Sequence, residues 1–222
     1  MFPRIVAVRF KEAAMPEVDL EALGAATGPM QVWVLPALLG LGLASATGLR
    51  TFLPLLMLAL AARFEMFGVR LIDQMDWLVS WPAIAALGVA TTAEFLGDKV
   101  PAIDHALNAI GYVTRPVAGA IAAGSVFWAV DPAMAAVAGL IVGAPAALAF
   151  NAAQTGVRVG STATTGGLGN PVVSFIEDVL AFFTVIVAFL APIVIPLVLL
   201  VLAVVVFRLA RRIREARTTR TA

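Results

Sequence analysis

The chain has 222 residues, 61% hydrophobic and 13% charged, with a formal net charge of +1. Soluble domains are about half apolar and about a quarter charged, so this composition excludes an ordinary water-soluble globule. The net charge by itself says nothing about nucleic acid, but no basic patch is interleaved with aromatics and no nucleic-acid partner is expected.

Apolar runs long enough to cross a bilayer predict an all-α, polytopic helical membrane protein. A transmembrane β-barrel would alternate in short strands, and nothing here alternates. The absence of cysteine removes disulfides, thiolate metal sites and cysteine nucleophiles. Charges gather at 1–21, 63–76, 94–105 and 208–220. Residues 1–30 read as a tail or surface helix. Arg9, Lys11, Glu12, Glu17, Asp19 and Glu21 break the apolar stretches that a secretory signal needs. A membrane domain follows over 31–207, then a basic tail over 208–222.

Residues 32–63 would make roughly 48 Å of helix, too long for one straight span. Gly48 and Pro54 bracket Arg50 and predict a break there, giving either one kinked helix or two segments. Residues 64–81 predict an interfacial connection, with Trp77 and Trp81 at headgroup level. A span over 82–97 ends in Glu94, Gly97, Asp98 and Lys99, and Pro101 opens a short helix, PAIDHALNAIGY. Another span covers 116–130. Asp131 and Pro132 turn the chain into a span over 133–154.

The polar stretch GSTATTGGLGNP, 160–171, interrupts the apolar sequence. Asn170 and Pro171 are expected as a helix N-cap and first residue. The last run, 171–207, contains Pro192 and Pro196 and is either one kinked helix or two spans. The total is then six spans or seven. The tail RLARRIREARTTRTA holds six arginines and one glutamate. The positive-inside rule places it in the cytoplasm of a multi-pass protein of the cell inner (plasma) membrane.

The chain echoes itself, with half one at about 31–130 and half two at about 132–207. AlaThrGlyLeuArg at 46–50 matches GlnThrGlyValArg at 154–158, and LeuGlyAsp at 96–98 matches LeuGlyAsn at 168–170. The run 101–107 resembles 171–180 with a gap, and each half then reaches a proline, Pro116 or Pro192. Gly- and Ala-rich membrane helices also match easily without common descent. Duplicated membrane halves often pair in inverted topology, with broken or kinked helices meeting at a central site.

The run STATTGGLGNPVVSFIEDV, with GLRTFLP and DKVPAIDHALNAI, resembles an uncharacterised integral membrane family, domain of unknown function 4126. The resemblance covers roughly 34–207. It implies a membrane protein found mainly in bacteria and implies no reaction.

Ionisable groups inside membrane segments are costly, which makes them functional candidates. Arg50 and Arg158 can hold an anionic phosphate or carboxylate through bidentate hydrogen bonds. Equally, they can pair with Glu94, Asp98 or Glu177 and lock the halves together, or snorkel to an interface. Asp98, Asp104, His105, Glu177 and Asp178 form an acidic set able to take a hard cation or relay protons, with His105 titrating near neutrality. Helix capping and surface solvation are the alternative. EFLGDK at 94–99 misses a cation-exchanger E-x-G-D-K pattern by one residue.

Ser161, Thr162, Thr164, Thr165 and Asn170 would form a polar wall if 160–170 lies at membrane depth, where irregular backbone survives only inside protein or along a watery cavity. Otherwise the stretch is a plain loop. No GxSxG elbow or P-loop is present, and no enzyme activity or cofactor is expected.

The leading expectation is a small transporter or channel for an ion or small charged solute, coupled through these carboxylates. Binding or flipping of a phosphate-headed lipid is the alternative, since GLRTFLP faintly resembles the GLTEFLP-type stretch of polyprenyl-phosphate recycling proteins. A non-transporting scaffold is the third. Expected partners are the bilayer, a small ion or solute, and a second copy of the chain.

Overall fold

A computed structural model describes residues 28–98 and 101–218, without the side chains at 101–102, 104–106, 206, 209–210 and 212–218. Every regular element among the described residues is helical. The N-terminal tail expected over 1–30 lies almost wholly outside them.

Helix α1 spans Met30–Leu49. It stops because Arg50 adopts an extended backbone, φ −136° and ψ 118°. Pro54 then sits in the first turn of α2, Leu53–Arg63, where its missing N–H costs nothing. The predicted break at Arg50 is therefore present, as two segments. Beyond α2 the chain turns through Glu65 (φ 52°) and Phe67 (φ 58°), both left-handed without being glycine. A short 3₁₀ stretch, Asp73–Val79, meets α3, Trp81–Gly97, at a bend of 62°. Ser80 caps α3, its hydroxyl accepting from the Ala83 N–H at 3.3 Å.

Helix α4 runs unbroken over Pro101–Ser125, with Pro116 inside it. The sequence predicted a short helix and a separate span here. Pro116 removes one backbone donor, and packing on both sides holds the helix together across it. Asp131 caps α5, Pro132–Thr165, by accepting from the Ala133 N–H at 2.9 Å. A π-turn at Gly139–Gly143 widens α5. Two glycines in the left-handed region, Gly166 (φ 63°) and Gly167 (φ 91°), end α5 and turn the chain into α6, Asn170–Leu190. Gly169 occupies the cap position expected of Asn170. A second break at Ala191 precedes α7, Ile195–Thr218. The last apolar run is thus two helices.

Among the described residues, three helices are long and apolar enough to cross a membrane (α1, α5 and α6), or four if the bent pair ending in α3 counts as one span. This is fewer than the six or seven expected. The breaks at Arg50 and Ala191 leave short apolar helices at Leu53–Arg63 and Pro192–Val205. Eleven residues reach only about 17 Å, roughly half a bilayer.

α1 is the hub, packed by α4, α5 and α6, and it is buried at every position from Gly42 to Arg50. Glycine permits the close approach. A Cβ on Gly40 would lie 3.0 Å from the Ala123 Cα, and one on Gly139 would lie 2.8 Å from the Gly124 Cα. The outer surface is apolar instead: Leu140, Ile141, Val159, Phe175 and Phe183 are all more than half exposed. Charges inside and large apolar side chains outside suit a hydrocarbon surrounding rather than water.

Candidate functional site: a buried charge cluster

The break after α1 turns the Arg50 side chain into the middle of the bundle, where it is fully buried. One terminal nitrogen of Arg50 donates to Asp98 Oδ2. The other donates to the Ser174 hydroxyl at 2.7 Å and to the Ser174 carbonyl at 3.0 Å. Its Nε lies in ionic contact with Asp178 Oδ1, without hydrogen-bond alignment. The ring of Phe95 covers the guanidinium at 5.5 Å.

Asp98, at the end of α3, is the shared acceptor. Its Oδ2 also takes Arg158 Nη2 at 3.0 Å and the Ser174 hydroxyl at 3.2 Å. Arg158 comes from α5 and makes a forked contact with Glu177 of α6. Its Nη2 lies 2.5 Å from Oε2, and its Nε lies 3.2 Å from both carboxylate oxygens. Gln154, one turn earlier on α5, donates to the same Glu177 oxygen at 2.7 Å.

A second layer is built on α4. Arg115 donates to Gln154 Oε1, to Asn151 Oδ1 at 2.5 Å and to the Gly48 carbonyl at 3.3 Å. Glu94 closes the break itself, accepting from the backbone N–H groups of Thr51 at 2.9 Å and Phe52 at 3.3 Å. Those are orphan donors at the start of α2, so Glu94 serves as a cap from a distant helix. Glu94→Ala should lower stability by about 1–2 kcal/mol, read as a lower melting temperature in detergent. Glu94→Gln, which keeps an acceptor, should recover part of it.

Five of the predicted charged residues, Arg50, Asp98, Arg158, Glu177 and Asp178, therefore meet in one place. Asp104 and His105 lie near the start of α4, and their side chains lie outside the described residues. The predicted polar wall is mostly helix, since α5 continues to Thr165. Its hydroxyls bond locally: Thr164 to the Gly160 carbonyl at 2.9 Å, and Thr165 to the Ser161 carbonyl at 2.8 Å. Asn170 donates to the Thr162 hydroxyl at 3.0 Å and closes the α5–α6 hairpin. Thr162, Thr164 and Thr165 are exposed.

The sequence reading missed Arg115, Asn151 and Gln154 as partners. Arg115 carries the signal that singled out Arg50, an ionisable group inside a run of small apolar residues. Among the described residues, Arg50, Arg115 and Arg158 face Glu94, Asp98, Glu177 and Asp178, leaving one negative charge in excess when all are ionised. Asp178 is the most open of the ion-paired members, with 26% of its side chain exposed against 3% for Asp98 and 6% for Glu177.

A family model described as Domain of unknown function (DUF4126) matches residues 37–212. No curated protein and no solved structure matches the chain.

Proposed function

This chain belongs to the DUF4126 family, and on that premise we propose that it is a small membrane transporter or channel for an ion or small charged solute. Movement of the solute is coupled to a proton or cation taken up at the buried carboxylates. The observation that carries this reading is the uneven charge of the central cluster among the described residues, with its most open ion-paired member, Asp178, about a quarter exposed. A buried cluster with one surplus negative charge is stabilised by one added proton or monovalent cation. Neutralising Asp178 would loosen its hold on Arg50, which also anchors Asp98 and Ser174 at the break between α1 and α2. That links occupancy of the site to the packing of four segments.

In this reading the two halves are related by duplication in inverted topology. Support comes from the matched motifs at 46–50 and 154–158, whose arginines both reach Asp98. Their backbones differ, however: Arg50 stands at a break and Arg158 inside a continuous helix. The protein sits in the cell inner membrane with its basic tail in the cytoplasm, supported by the arginines of that tail.

Reconstitution in liposomes, with proton, sodium, potassium and divalent-ion flux each followed, tests the reading. Wild type should conduct or exchange at least one of them. Asp178→Asn should cut that flux by about tenfold or more, since a group that must bind and release the coupled ion is lost. Wild-type liposomes that pass none of these ions would sink the idea.

A non-transporting scaffold is the second reading, and the internal pairing of Asp98 with Arg50, Arg158 and Ser174 favours it. It expects no flux together with a strong stability loss on breaking those pairs. Lipid phosphate at Arg50 and Arg158 is less well supported, because carboxylates of the same chain already engage both guanidiniums.

A further inference from the structure

A second polar feature lies away from the charge cluster. A cavity of about 590 Å³ opens where the turn after α2 and the 3₁₀ stretch before α3 meet the end of α4. It is large enough for a small organic ligand or a lipid headgroup. The chain is fixed there by the Ile72 N–H, which donates to the Ser125 carbonyl at 2.9 Å. Its polar lining is Glu65, Arg70, Asp73 and Asp76, and Trp128 also lines it. Phe64, Trp77 and Trp81, within two residues of the lining in sequence, are each more than half exposed. Such aromatics mark headgroup depth.

The lining has two chemical ends. Arg70 is held over the Trp128 ring, its Cζ 5.2 Å from the centroid. Stacking orients the guanidinium and leaves its N–H edge for an anion. Glu65, Asp73 and Asp76 have no side-chain ion pair or hydrogen bond among the described residues. They do not gather into a group able to hold a metal ion. Carboxylates spread around a roomy cavity suit a larger cation, such as an ammonium that donates in three directions.

We propose that this cavity binds a phosphoethanolamine group, its phosphate on Arg70 and its primary ammonium on Asp73 and Asp76. The face of Trp128 is taken by Arg70, so a quaternary ammonium lacks the aromatic surface it would need, and a primary ammonium can use the free carboxylates. The group can arrive on a membrane lipid or as the free compound. The site goes beyond the transport reading and shares no residue with it.

Native mass spectrometry from nanodiscs of mixed phosphatidylethanolamine and phosphatidylcholine tests the lipid source, and calorimetry with soluble phosphoethanolamine against phosphocholine in detergent tests the free source. Wild type should favour ethanolamine over choline by about tenfold in whichever arm binds, the ratio expected from one charge-assisted hydrogen-bond pair. Asp73→Asn with Asp76→Asn should erase that preference, and Arg70→Gln should weaken both headgroups alike. These side chains are exposed, so each variant should keep the wild-type melting temperature. Equal retention of both headgroups, no binding in either arm, or a preference that survives the double variant in folded protein would overturn the proposal.

Discussion

Asp98→Ala should be among the most destabilising single substitutions in this protein, lowering stability by about 3–5 kcal/mol. One carboxylate oxygen serves Arg50, Arg158 and the Ser174 hydroxyl, and so ties the break after α1 to α5 and α6. Removing it leaves two buried guanidiniums with less negative charge between them. The loss belongs at the lower end of that range if Glu177 holds Arg158 and Asp178 holds Arg50. Asp98→Asn should fall in between, since the amide keeps the shape and one acceptor but gives up the charge. Thermal unfolding in detergent gives the ordering. A double-mutant cycle with Arg50→Met should return a coupling of about 1 kcal/mol or more. A cycle that returns none would mean that the contact is incidental to stability.

Gly143→Leu should be comparably severe, at about 3 kcal/mol, for a reason unrelated to charge. A Cβ at Gly143 would run into the Gly119 carbonyl and lie 2.9 Å from the Ala120 Cα, both of them backbone. Backbone cannot rotate away as a side chain can, so α4 and α5 must separate. The same wedge reaches the site. Arg115 stands one turn before Gly119 on α4, and its acceptors Asn151 and Gln154 stand on α5. The substitution should therefore lower both melting temperature and any flux. Gly156→Ala supplies the comparison, because open space surrounds that position on the same helix. It should be neutral, or stabilising by about 0.5 kcal/mol, as expected where a helical glycine has room for a methyl group.

Much of the frame is legible in the sequence because it depends on local rules. Pro54 and Asp131 mark chain breaks by local chemistry, the proline through its fixed φ and the aspartate through its capping carboxylate, and a helix begins beside each. The break at Arg50 follows from a glycine and a proline set around a charged residue. Where local rules compete with packing they mislead. Pro116 reads as a boundary, yet α4 passes through it. Gly160–Thr165 reads as an irregular polar loop, yet α5 continues across it. The Thr164 and Thr165 hydroxyls bond back to carbonyls one turn earlier, which satisfies them without unwinding the helix.

By itself, the amino-acid order determined that the chain is helical and suited to a membrane, and that Arg50, Asp98, Arg158, Glu177 and Asp178 needed an explanation. Such residues stand out because the cost of burying a charge in an apolar run is a property of the residue and its neighbours in sequence. Which charges meet was decided only in three dimensions. Asp98 lies 48 residues from Arg50 and 60 from Arg158, and nothing in the spacing of either pair announces that one oxygen will serve both. Glu94 as the cap of α2, and Arg115 as the partner of Asn151 and Gln154, are likewise products of helices that pack through glycine. Close approach brings the polar groups within reach, and the low dielectric between the helices then requires each charge to find its partner.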